Sequence, residues 1–417
     1  MGMSQLGCCS IVVIFFLGAV AAVFMAPVIN AADAASVDPS TAILITVDQS
    51  GRGDYQTIQD AIDAVPSNNT ELVFISIKPG VYRQAYSLSL SLSLSLPETA
   101  CDGVKTMAHT RSKKLPCHCI KPYLSLSLKE TTCNWKKAVV PVDKPFITLS
   151  GTNATSTANT IITWSDGGNT FQSATVTILA SDFVGRYLTI QNTYGSGAQA
   201  VALRVSGDRA AFYACRILSY QDTLLDDSGR HYFSNCYIEG ATDFICGNAL
   251  SLFEASPACS TRHFIHTCIG KCHLHSSSKN GGAVTAQSRS SPTDNTGYSF
   301  FRCRITGKGP ALLGRPWRPY SRVVFAYTYM SSAIVPRGWD DWGDSSNQRT
   351  VFYGQYNCFG PGAKLNGRAT WTRALSSGEA APFMSKSMID GETWLRRPPT
   401  HFRKASTLAA QKLVAGR

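Results

Sequence analysis

The chain has 417 residues, of which 44% are hydrophobic and 16% are charged, so it is globular rather than disordered. Its formal net charge is +12, and lysine and arginine are scattered without a dense tract. Neither an aromatic-basic RNA-binding motif nor zinc-finger spacing occurs, so we expect no nucleic-acid partner. The charge instead favours a polyanionic or acidic-surface partner.

The N-terminus carries an apolar run at positions 11–28, and small residues follow it at 31–35. This pattern predicts that residues 1–32 form a signal peptide. Because no Lys or Arg precedes the run and its length is borderline for a membrane span, a signal-anchor stays open as the alternative. Secretion also fits two predicted glycosylation sequons, Asn68-Asn-Thr70 and Asn153-Ala-Thr155.

The first predicted elements are a strand at 43–47 and a short amphipathic helix at 57–65. One face of the helix is apolar and comprises Ile58, Ala61, Ile62 and Val65. A single helix ahead of many strands would cover the open end of a strand stack. We therefore predict a short N-terminal capping helix.

Residues 85–136 do not follow the pattern of the surrounding chain. They contain a Ser-Leu repeat at 87–96, a second at 124–128, and four cysteines. Exact low-complexity repetition reflects sequence slippage more often than it encodes a strand. We interpret the stretch as an insertion that separates Val81–Gln84 from Ala138–Val140, which we expect to form one strand.

Between residues 146 and 356 the sequence has short alternating strands with turn signals and no alternating strand–helix pattern. Phe212–Ile217 and Phe233–Ile238 are copies of one unit. A fixed period of about 20 residues, the interval between these copies, is typical of a stacked solenoid. We predict an all-β fold, a right-handed parallel β-helix. Further predicted strands are Ile147–Leu149, Ala174–Ile178, Tyr187–Ile190, Ala200–Val205 and Phe300–Ile305.

The same period indicates a second insertion. The interval from Cys236 to Cys272 is much longer than the interval from Cys215 to Cys236, and removal of residues 255–270 restores the repeat. We expect these three cysteines to stack as buried thiols on successive rungs, while any disulfide pairing stays open. The string Cys268–His275 begins inside the insertion, so we expect no metal site there.

Asp222 and Asp243 are separated by the same interval as Cys215 and Cys236, one aspartate following each copy of the repeating unit. Residues one period apart lie on adjacent rungs of a solenoid, roughly 4.8 Å from each other. Two carboxylates this close rarely ionise together, so one would serve as an acid and the other as a nucleophile or base. The alternative is that both are ordinary turn residues, a common position for aspartate.

Four strings in chain order carry a resemblance to a known family. They are Gln199-Ala-Val-Ala-Leu203, Gln221-Asp222-Thr-Leu224, Asp243-Phe-Ile-Cys-Gly247 and Leu313-Gly-Arg315-Pro-Trp317. Together they resemble the signature blocks of plant pectin methylesterases (pectinesterases). The resemblance runs from about residue 43 to residue 395, apart from the two insertions, and fits the shorter members without an inhibitor-like pro-region.

The resemblance implies hydrolysis of the methyl ester on the galacturonate C6 carboxyl of pectin. Asp243 would be the nucleophile, and Asp222 would act first as acid and then as base. Arg315 would keep Asp243 charged and oriented. Gln199 and Gln221 would donate hydrogen bonds to the oxyanion of the tetrahedral intermediate.

The resemblance also suggests residues that contact the substrate. Trp317 would offer an apolar face to a sugar ring. Phe244 and Gln287 are further candidates in the substrate groove, with a structural role for Gln287 also open. Leu225 and Cys246 stand where many family members carry an aromatic residue, so the groove would grip the polymer less or prefer another methylation pattern.

The biological setting that the resemblance implies is extracellular. We expect a secreted protein of the cell wall that acts on pectin as a monomer without cofactor or metal, with proteinaceous pectinesterase inhibitors as candidate partners. The basic segment 396–417 shows no clear strand pattern. We expect it to be a mobile extension that contacts the wall.

Two other functions are compatible with a β-helix. The first is a pectate lyase or polygalacturonase, but the chain lacks a convincing acidic calcium cluster or set of hydrolytic aspartates. The second is a β-helix that binds pectin with little or no turnover. This alternative depends on the insertions, which would split strands and forfeit ladder hydrogen bonds.

Overall fold

The computed structural model describes residues 38–83, 137–152, 159–255 and 272–404. The predicted leader, nearly all of both predicted insertions, the sequon at Asn153 and residues 405–417 lie outside the described residues. Within the described residues, the strands form three parallel sheets, which we name A, B and C. Strands and helices are numbered in chain order.

Sheet A has twelve strands in the described part of the chain. They are β1 (Thr41–Val47), β2 (Val73–Ile77), β5 (Ile147–Gly151), β8 (Val184–Arg186), β11 (Ala210–Tyr213), β14 (Arg230–Ser234), β17 (Leu250–Glu254), β20 (Gly297–Phe301), β23 (Arg322–Ala326), β25 (Phe352–Tyr356), β26 (Arg373–Ala374) and β27 (His401–Lys404).

Sheets B and C complete the rungs. Sheet B contains β3 (Gly80–Arg83), β6 (Thr160–Trp164), β9 (Thr189–Asn192), β12 (Arg216–Leu218), β15 (Tyr237–Gly240), β18 (His273–Ser276), β21 (Arg304–Gly307) and β24 (Tyr329–Met330). Sheet C contains β4 (Ala138–Val140), β7 (Val176–Ile178), β10 (Leu203–Val205), β13 (Leu224–Asp226), β16 (Ile245–Gly247), β19 (Ala283–Gln287) and β22 (Leu312–Gly314).

Helices are few and short in the same residues. They are α1 (Ile58–Ala64), α2 (Ser377–Ala380) and α3 (Gly391–Trp394), with 3-10 turns at Ser345–Arg349, Pro361–Ala363, Ala381–Phe383 and Lys386–Ile389.

From β2 to β24 the chain visits the sheets in the order A, B, C and then returns to A one rung further along. Equivalent strands of successive rungs therefore pair in parallel. Phe212 pairs with Phe233 and Ile217 with Ile238, so the rung repeat coincides with the period predicted from the sequence. The prediction of an all-β parallel β-helix is confirmed.

The passage from sheet A to sheet B turns at a single residue with a left-handed backbone. Ala214 and Asn235 occupy this corner with φ of 50° and 56°. The residue after the corner points into the interior, and there Cys215, Cys236 and Cys272 are buried. The predicted cysteine ladder is confirmed and continues through Cys303 and Cys358; these five, like Cys246, are free thiols.

The same corner corrects one predicted strand. Phe300–Ile305 is not continuous, because Arg302 takes the corner conformation with φ of 57°. The chain forms β20 before this corner and β21 after it.

The insertions separate strands of different sheets and do not split a strand. β3 belongs to sheet B and β4 to sheet C, so residues 84–136 join two strands of different sheets. β17 belongs to sheet A and β18 to sheet B, so the second insertion also falls between strands of two sheets, the step that Asn235 makes one rung earlier. The prediction that strands are interrupted is therefore wrong, and the alternative of an impaired pectin-binding β-helix loses its structural basis.

The interior of sheet A is filled by a column of phenylalanine rings. Phe212 and Phe233 have ring centroids 5.0 Å apart, and Phe233 and Phe253 are 4.6 Å apart, with nearly parallel planes in both pairs. The column continues through Phe300 and Phe325 at the same spacing of 4.6 Å. Identical side chains at the same rung position thus bury one another along the stack.

The predicted capping helix is present as α1, and Gln59 shows how it protects the stack. The Gln59 amide donates to the Val139 carbonyl at 3.1 Å and accepts from the Val139 N–H at 2.8 Å. These bonds satisfy the backbone of β4, the first strand of sheet C. The side chain of Gln59 therefore makes the hydrogen bonds that a further strand would make at this edge of sheet C.

The segment after residue 395 corrects another prediction. Arg396 donates to Asp182 at 2.8 Å, and β27 pairs in parallel with β1 at the end of sheet A. Phe402 packs on Phe74 with ring centroids 5.2 Å apart. Residues 401–404 are therefore a strand of the sheet; the predicted extension concerns only residues 405–417, which lie outside the described residues.

We predict that removal of residues 255–270, combined with Lys271→Asn, gives a variant that folds at least as stably as the natural chain. The junction Glu254-Asn-Cys272 then repeats the corner Ser234-Asn235-Cys236. Closing the shorter loop costs less entropy, by up to about 2 kcal/mol, and asparagine tolerates the left-handed corner better than lysine. Thermal unfolding followed by circular dichroism measures the effect. A lower melting temperature or a non-cooperative transition would show that the segment supports the fold.

Candidate active site

Asp222 and Asp243 occupy the same corner on neighbouring rungs. Asp222 lies between β12 and β13, and Asp243 lies between β15 and β16. Both have left-handed backbones, with φ of 58° and 49°, a conformation that aspartate tolerates better than most residues. They are turn residues, as the alternative interpretation held, and the turns bring both carboxylates to one site.

The register of the two rungs fixes this juxtaposition. Gln221 forms a parallel bridge with Thr242, and the Asp222 N–H donates to the Thr242 carbonyl at 3.2 Å. Asp222 and Asp243 are only 8% and 4% exposed. The predicted pair of neighbouring carboxylates therefore lies largely withdrawn from water.

Arg315 binds Asp243 with two parallel hydrogen bonds. Its Nε donates to Oδ1 at 2.8 Å and its Nη2 to Oδ2 at 2.5 Å. Arg315 follows β22 directly, and its N–H donates to the Thr285 carbonyl at 3.0 Å. A bidentate guanidinium fixes the plane of a carboxylate as well as its charge. The structure thus brings together Asp222, Asp243 and Arg315, three of the five residues to which the family resemblance assigned a catalytic role.

Trp342 completes the setting of Arg315. The guanidinium carbon lies 3.9 Å from the centroid of the Trp342 ring, a cation–π contact. Trp342 is 41% exposed, so part of its surface faces solvent. Trp342 lies in a loop outside the rung repeat, so the repeat period does not predict its contact with Arg315.

The two carboxyl groups differ in their electrostatic surroundings. Burial raises the pKa of Asp222 to about 6; Asp243 adds to this rise, while Thr170 and Arg315 oppose it. Burial also raises the pKa of Asp243, and the hydrogen bonds and charge of Arg315 reduce this rise without cancelling it. Arg315 stays protonated, since Asp243 raises its pKa in turn. The arrangement favours an ionised Asp243 beside a neutral Asp222 in mildly acidic solution.

Thr170 is a site residue that the sequence did not predict. Its Oγ1 donates to Oδ2 of Asp222 at 2.8 Å. Thr170 lies in the loop between β6 and β7, 52 residues before Asp222. Two rungs of the solenoid separate them, so only the three-dimensional register reveals the contact.

Gln199 and Gln221 belong to the same row of corners. The Ala200 N–H donates to the Gln221 carbonyl at 3.0 Å, which places the two glutamines side by side on adjacent rungs. Both are half-buried. In the described part of the chain neither side-chain amide has a hydrogen-bond partner within the protein, which leaves both free to donate to a bound group.

Trp317 covers an apolar floor on the outer face of sheet C. It is half-buried and packs against a small cluster. Leu225, Cys246 and Ala286 form a row in this floor, because Leu225 pairs with Cys246 and Cys246 with Ala286. Leu225 and Cys246, the two positions for which the resemblance led us to expect an aromatic residue, therefore belong to the cluster against which Trp317 packs. The remaining members of the cluster are Ala174 and Val201.

Phe244 and Gln287 do not line a groove. Both have fully buried side chains, so a direct substrate contact, as the sequence predicted, does not fit their positions. Phe244 belongs to the main hydrophobic core. The Gln287 amide oxygen accepts the backbone N–H groups of Arg289 at 3.1 Å and Arg322 at 2.9 Å. The position of Gln287 therefore fits the structural role that the sequence analysis left open for it.

Among the described residues, no group of three or more His, Cys, Asp or Glu side chains could hold a metal ion. None of the helices in these residues is long and apolar enough to span a membrane. The expectation of a reaction without metal or cofactor stays a prediction.

Comparison with known proteins identifies the class. The sequence model of the Pectinesterase family matches residues 127–392. The chain belongs to the pectinesterase family, whose members are carboxylic ester hydrolases.

Several curated relatives share this assignment. The chain is 46% identical to putative pectinesterase 11 of Arabidopsis thaliana over 91% of its own length and 88% of that protein. It is 36% identical to pectinesterase 31 of the same plant, over 85% of this chain and 94% of the relative.

Solved structures agree with the fold. A pectin methylesterase from carrot is 32% identical and matches with a TM-score of 0.65, covering 84% of this chain and 94% of the other. A pectin methylesterase from Aspergillus niger is 27% identical, with a TM-score of 0.61 over 84% and 94% of the two chains.

Proposed function

We propose that this pectinesterase hydrolyses galacturonate methyl esters in pectin through an Asp243 nucleophile and an Asp222 acid–base. The observation that carries the proposal is the asymmetry of the pair. Arg315 holds Asp243 by two hydrogen bonds, while the pKa of Asp222, whose carboxyl has no such partner, rises to about 6. One carboxyl is thus prepared to attack and the other to give up a proton.

In the first half-reaction, a carboxylate oxygen of Asp243 attacks the C6 carbonyl carbon of the ester. The half-buried amides of Gln199 and Gln221 donate to the oxygen that becomes negative. Asp222 transfers its proton to the methoxy oxygen as the bond from carbon to that oxygen breaks. Methanol leaves, and an anhydride joins Asp243 to the galacturonate.

In the second half-reaction, the ionised Asp222 takes a proton from water, and the water oxygen attacks the galacturonate carbonyl carbon. The anhydride bond breaks, so Asp243 regains its carboxylate and the sugar carries a free acid. Arg315 stabilises the returning charge on Asp243. Each cycle consumes one water and yields one methanol, with Asp222 protonated again.

We infer the location and the partners of the protein from its membership of the pectinesterase family. We propose a secreted protein that acts on cell-wall pectin as a monomer, and proteinaceous pectinesterase inhibitors remain candidate partners. The net charge of +12 suits a substrate that becomes polyanionic as its esters are removed. Asn68 is exposed, as a glycosylated asparagine must be.

Asp243→Asn should reduce methanol release from methylated pectin by roughly a thousandfold or more, because the amide is not nucleophilic. Asp222→Asn should also abolish turnover, since it removes the proton donor. Asp390→Asn changes an aspartate with a 63% exposed side chain and serves as the matched control, with activity unchanged. Full activity in Asp243→Asn would refute the nucleophile.

The same assay separates the esterase from the alternatives. Methanol should appear without new reducing ends and without unsaturated sugar products. Chain cleavage would instead support a lyase or polygalacturonase. Pectin binding by the natural chain without methanol release would support the non-catalytic alternative.

Thr170→Val should shift the pH dependence of kcat/KM. The Thr170 hydrogen bond lowers the pKa of Asp222, so its loss raises that pKa above about 6. The first half-reaction needs protonated Asp222. The alkaline limb of the pH profile of kcat/KM should therefore move to higher pH. Thr170→Ser keeps the hydroxyl and should restore the natural limb. A lower rate with an unmoved limb would show that Thr170 has only a packing role.

A further inference from the structure

The loop between β24 and β25 reaches the active site through one side chain. The loop spans residues 331–351 and carries Trp342, whose ring centroid lies 3.9 Å from the guanidinium carbon of Arg315. Arg315 in turn holds Asp243 by two hydrogen bonds. Any group that fixes the position of Trp342 therefore also affects the setting of the proposed nucleophile.

The backbone of Trp342 has a conformation that tryptophan rarely adopts. Its φ is 58°, in the left-handed region. A bulky side chain is strained there, because its β-carbon crowds the carbonyl oxygen that follows, and such a residue persists only where its surroundings hold it. The turn at Trp342 therefore depends on bonds from other residues of the loop.

Asp340 supplies such bonds on both sides of the contact. Its Oδ1 accepts the Trp342 N–H at 2.8 Å, the bond that aspartate and asparagine form with the residue two positions ahead. Its own N–H donates to the Gly314 carbonyl at 3.2 Å, and Gly314 directly precedes Arg315. Asp340 thus joins the residue before the guanidinium side chain to the ring that covers the guanidinium.

The backbone at Asp340 is itself firmly anchored. The preceding residue, Trp339, is fully buried and forms a parallel bridge with Gly314. Its ring stacks on Tyr353 with centroids 4.2 Å apart and an interplanar angle of 19°. The support for Trp342 therefore starts from the hydrophobic core, as the geometry of a site requires when small displacements matter.

The charge of Asp340 is a separate matter from its hydrogen bond. The carboxylate pairs with Arg337 at 3.3 Å. The hydrogen bond to Asp243 is the main cause that raises the pKa of Arg315, and the charge of Asp340 adds to the rise. A negative charge near Asp243 on its own disfavours ionisation of that carboxyl, so removal of the charge alone would favour the ionised form.

We propose that Asp340 is a positioning residue that holds Trp342 against the guanidinium of Arg315. The guanidinium thereby keeps its two-point contact with the Asp243 carboxylate. The inference rests on the proposed function, since it concerns the residue that orients the proposed nucleophile. Asp340 acts through Trp342 and Arg315 and has no direct contact with the reacting carboxyl groups.

The pH dependence of kcat/KM reports whether Arg315 stays in place. The charged groups that face Asp243 are Arg315 and Asp222, and the attack requires ionised Asp243. The acid limb of kcat/KM for methanol release from methylated pectin therefore follows the pKa of Asp243 in the free enzyme. Arg315 lowers that pKa against the effect of burial, so a loosened Arg315 moves the acid limb to higher pH.

Two substitutions of Asp340 in the full chain separate its bond from its charge. Asp340→Glu keeps the charge, but the longer side chain loses the bond to the Trp342 N–H. It should move the acid limb up by roughly half a pH unit to one unit and lower the maximal kcat/KM roughly threefold to tenfold. Asp340→Asn keeps the bond without the charge and should restore the natural limb.

A double-mutant cycle tests whether Asp340 acts through Trp342. Trp342→Ala should move the acid limb up as Asp340→Glu does, and the double variant should show no larger shift than Trp342→Ala alone. Additive shifts would mean that Asp340 acts independently of Trp342 and would contradict the inference.

Asp344→Glu is the matched control. Asp344 lies in the same loop, is exposed, and accepts the Ser346 N–H at 2.9 Å by the same kind of bond. Its replacement should leave both kcat/KM and the acid limb unchanged. Cooperative thermal unfolding, followed by circular dichroism, identifies the folded variants. Asp340→Ala should show the same upward shift and replaces Asp340→Glu if the longer side chain prevents folding.

An unmoved acid limb in a folded Asp340→Glu or Asp340→Ala would overturn the inference. Equal shifts in Asp340→Asn and Asp340→Glu would also overturn it, because the bond to Trp342 would then play no part. Neither result affects the proposed function, which Asp243→Asn tests on its own. Full activity in Asp243→Asn would refute the nucleophile whatever the Asp340 variants do.

Discussion

The parallel register between successive rungs is the constraint on which the rest of this structure depends. Each rung restarts at the same corners, and the left-handed residues at Ala214 and Asn235 keep equivalent positions in line. That alignment stacks the phenylalanines of sheet A and the cysteines beside them. It also places Asp222 and Asp243 in equivalent corners. A slip of one residue would reverse the side chains of a strand and break the core and the site together.

Within that frame, burial and one arginine determine how the two carboxylates differ. Burial alone would raise the pKa of both groups. Arg315 reaches Asp243 from the end of β22 and stabilises its charge by two hydrogen bonds, whereas Asp222 receives one from Thr170. Trp342 stacks on the guanidinium and holds it in place. The electrostatic difference between the two carboxyl groups therefore comes from parts of the chain far outside the two rungs that carry the aspartates.

The sequence predicts the features that recur with the repeat period, and it predicts few of the others. The regular spacing of the repeat predicts the solenoid, the cysteine ladder and the aspartate pair, because each recurs once per rung. It does not mark the corners, so the predictions of one strand at Phe300–Ile305 and of strand breaks at the insertions are wrong. Short strings likewise suggest groove residues, yet Phe244 and Gln287 are buried, since alternation along a strand does not tell which face meets the core. Thr170 and β27 depend on contacts between distant segments, which no local pattern predicts.

The central claim is that Asp222 is the carboxyl that holds a proton next to an ionised Asp243. Titration of the aspartate carboxyl carbons by ¹³C NMR tests it most directly, with Asp222→Asn and Asp243→Asn used to assign the signals. A carboxyl with a pKa of about 6 should be present in the natural protein and absent from Asp222→Asn. A signal near that pKa that instead disappears in Asp243→Asn, or no such signal at all, would contradict the account.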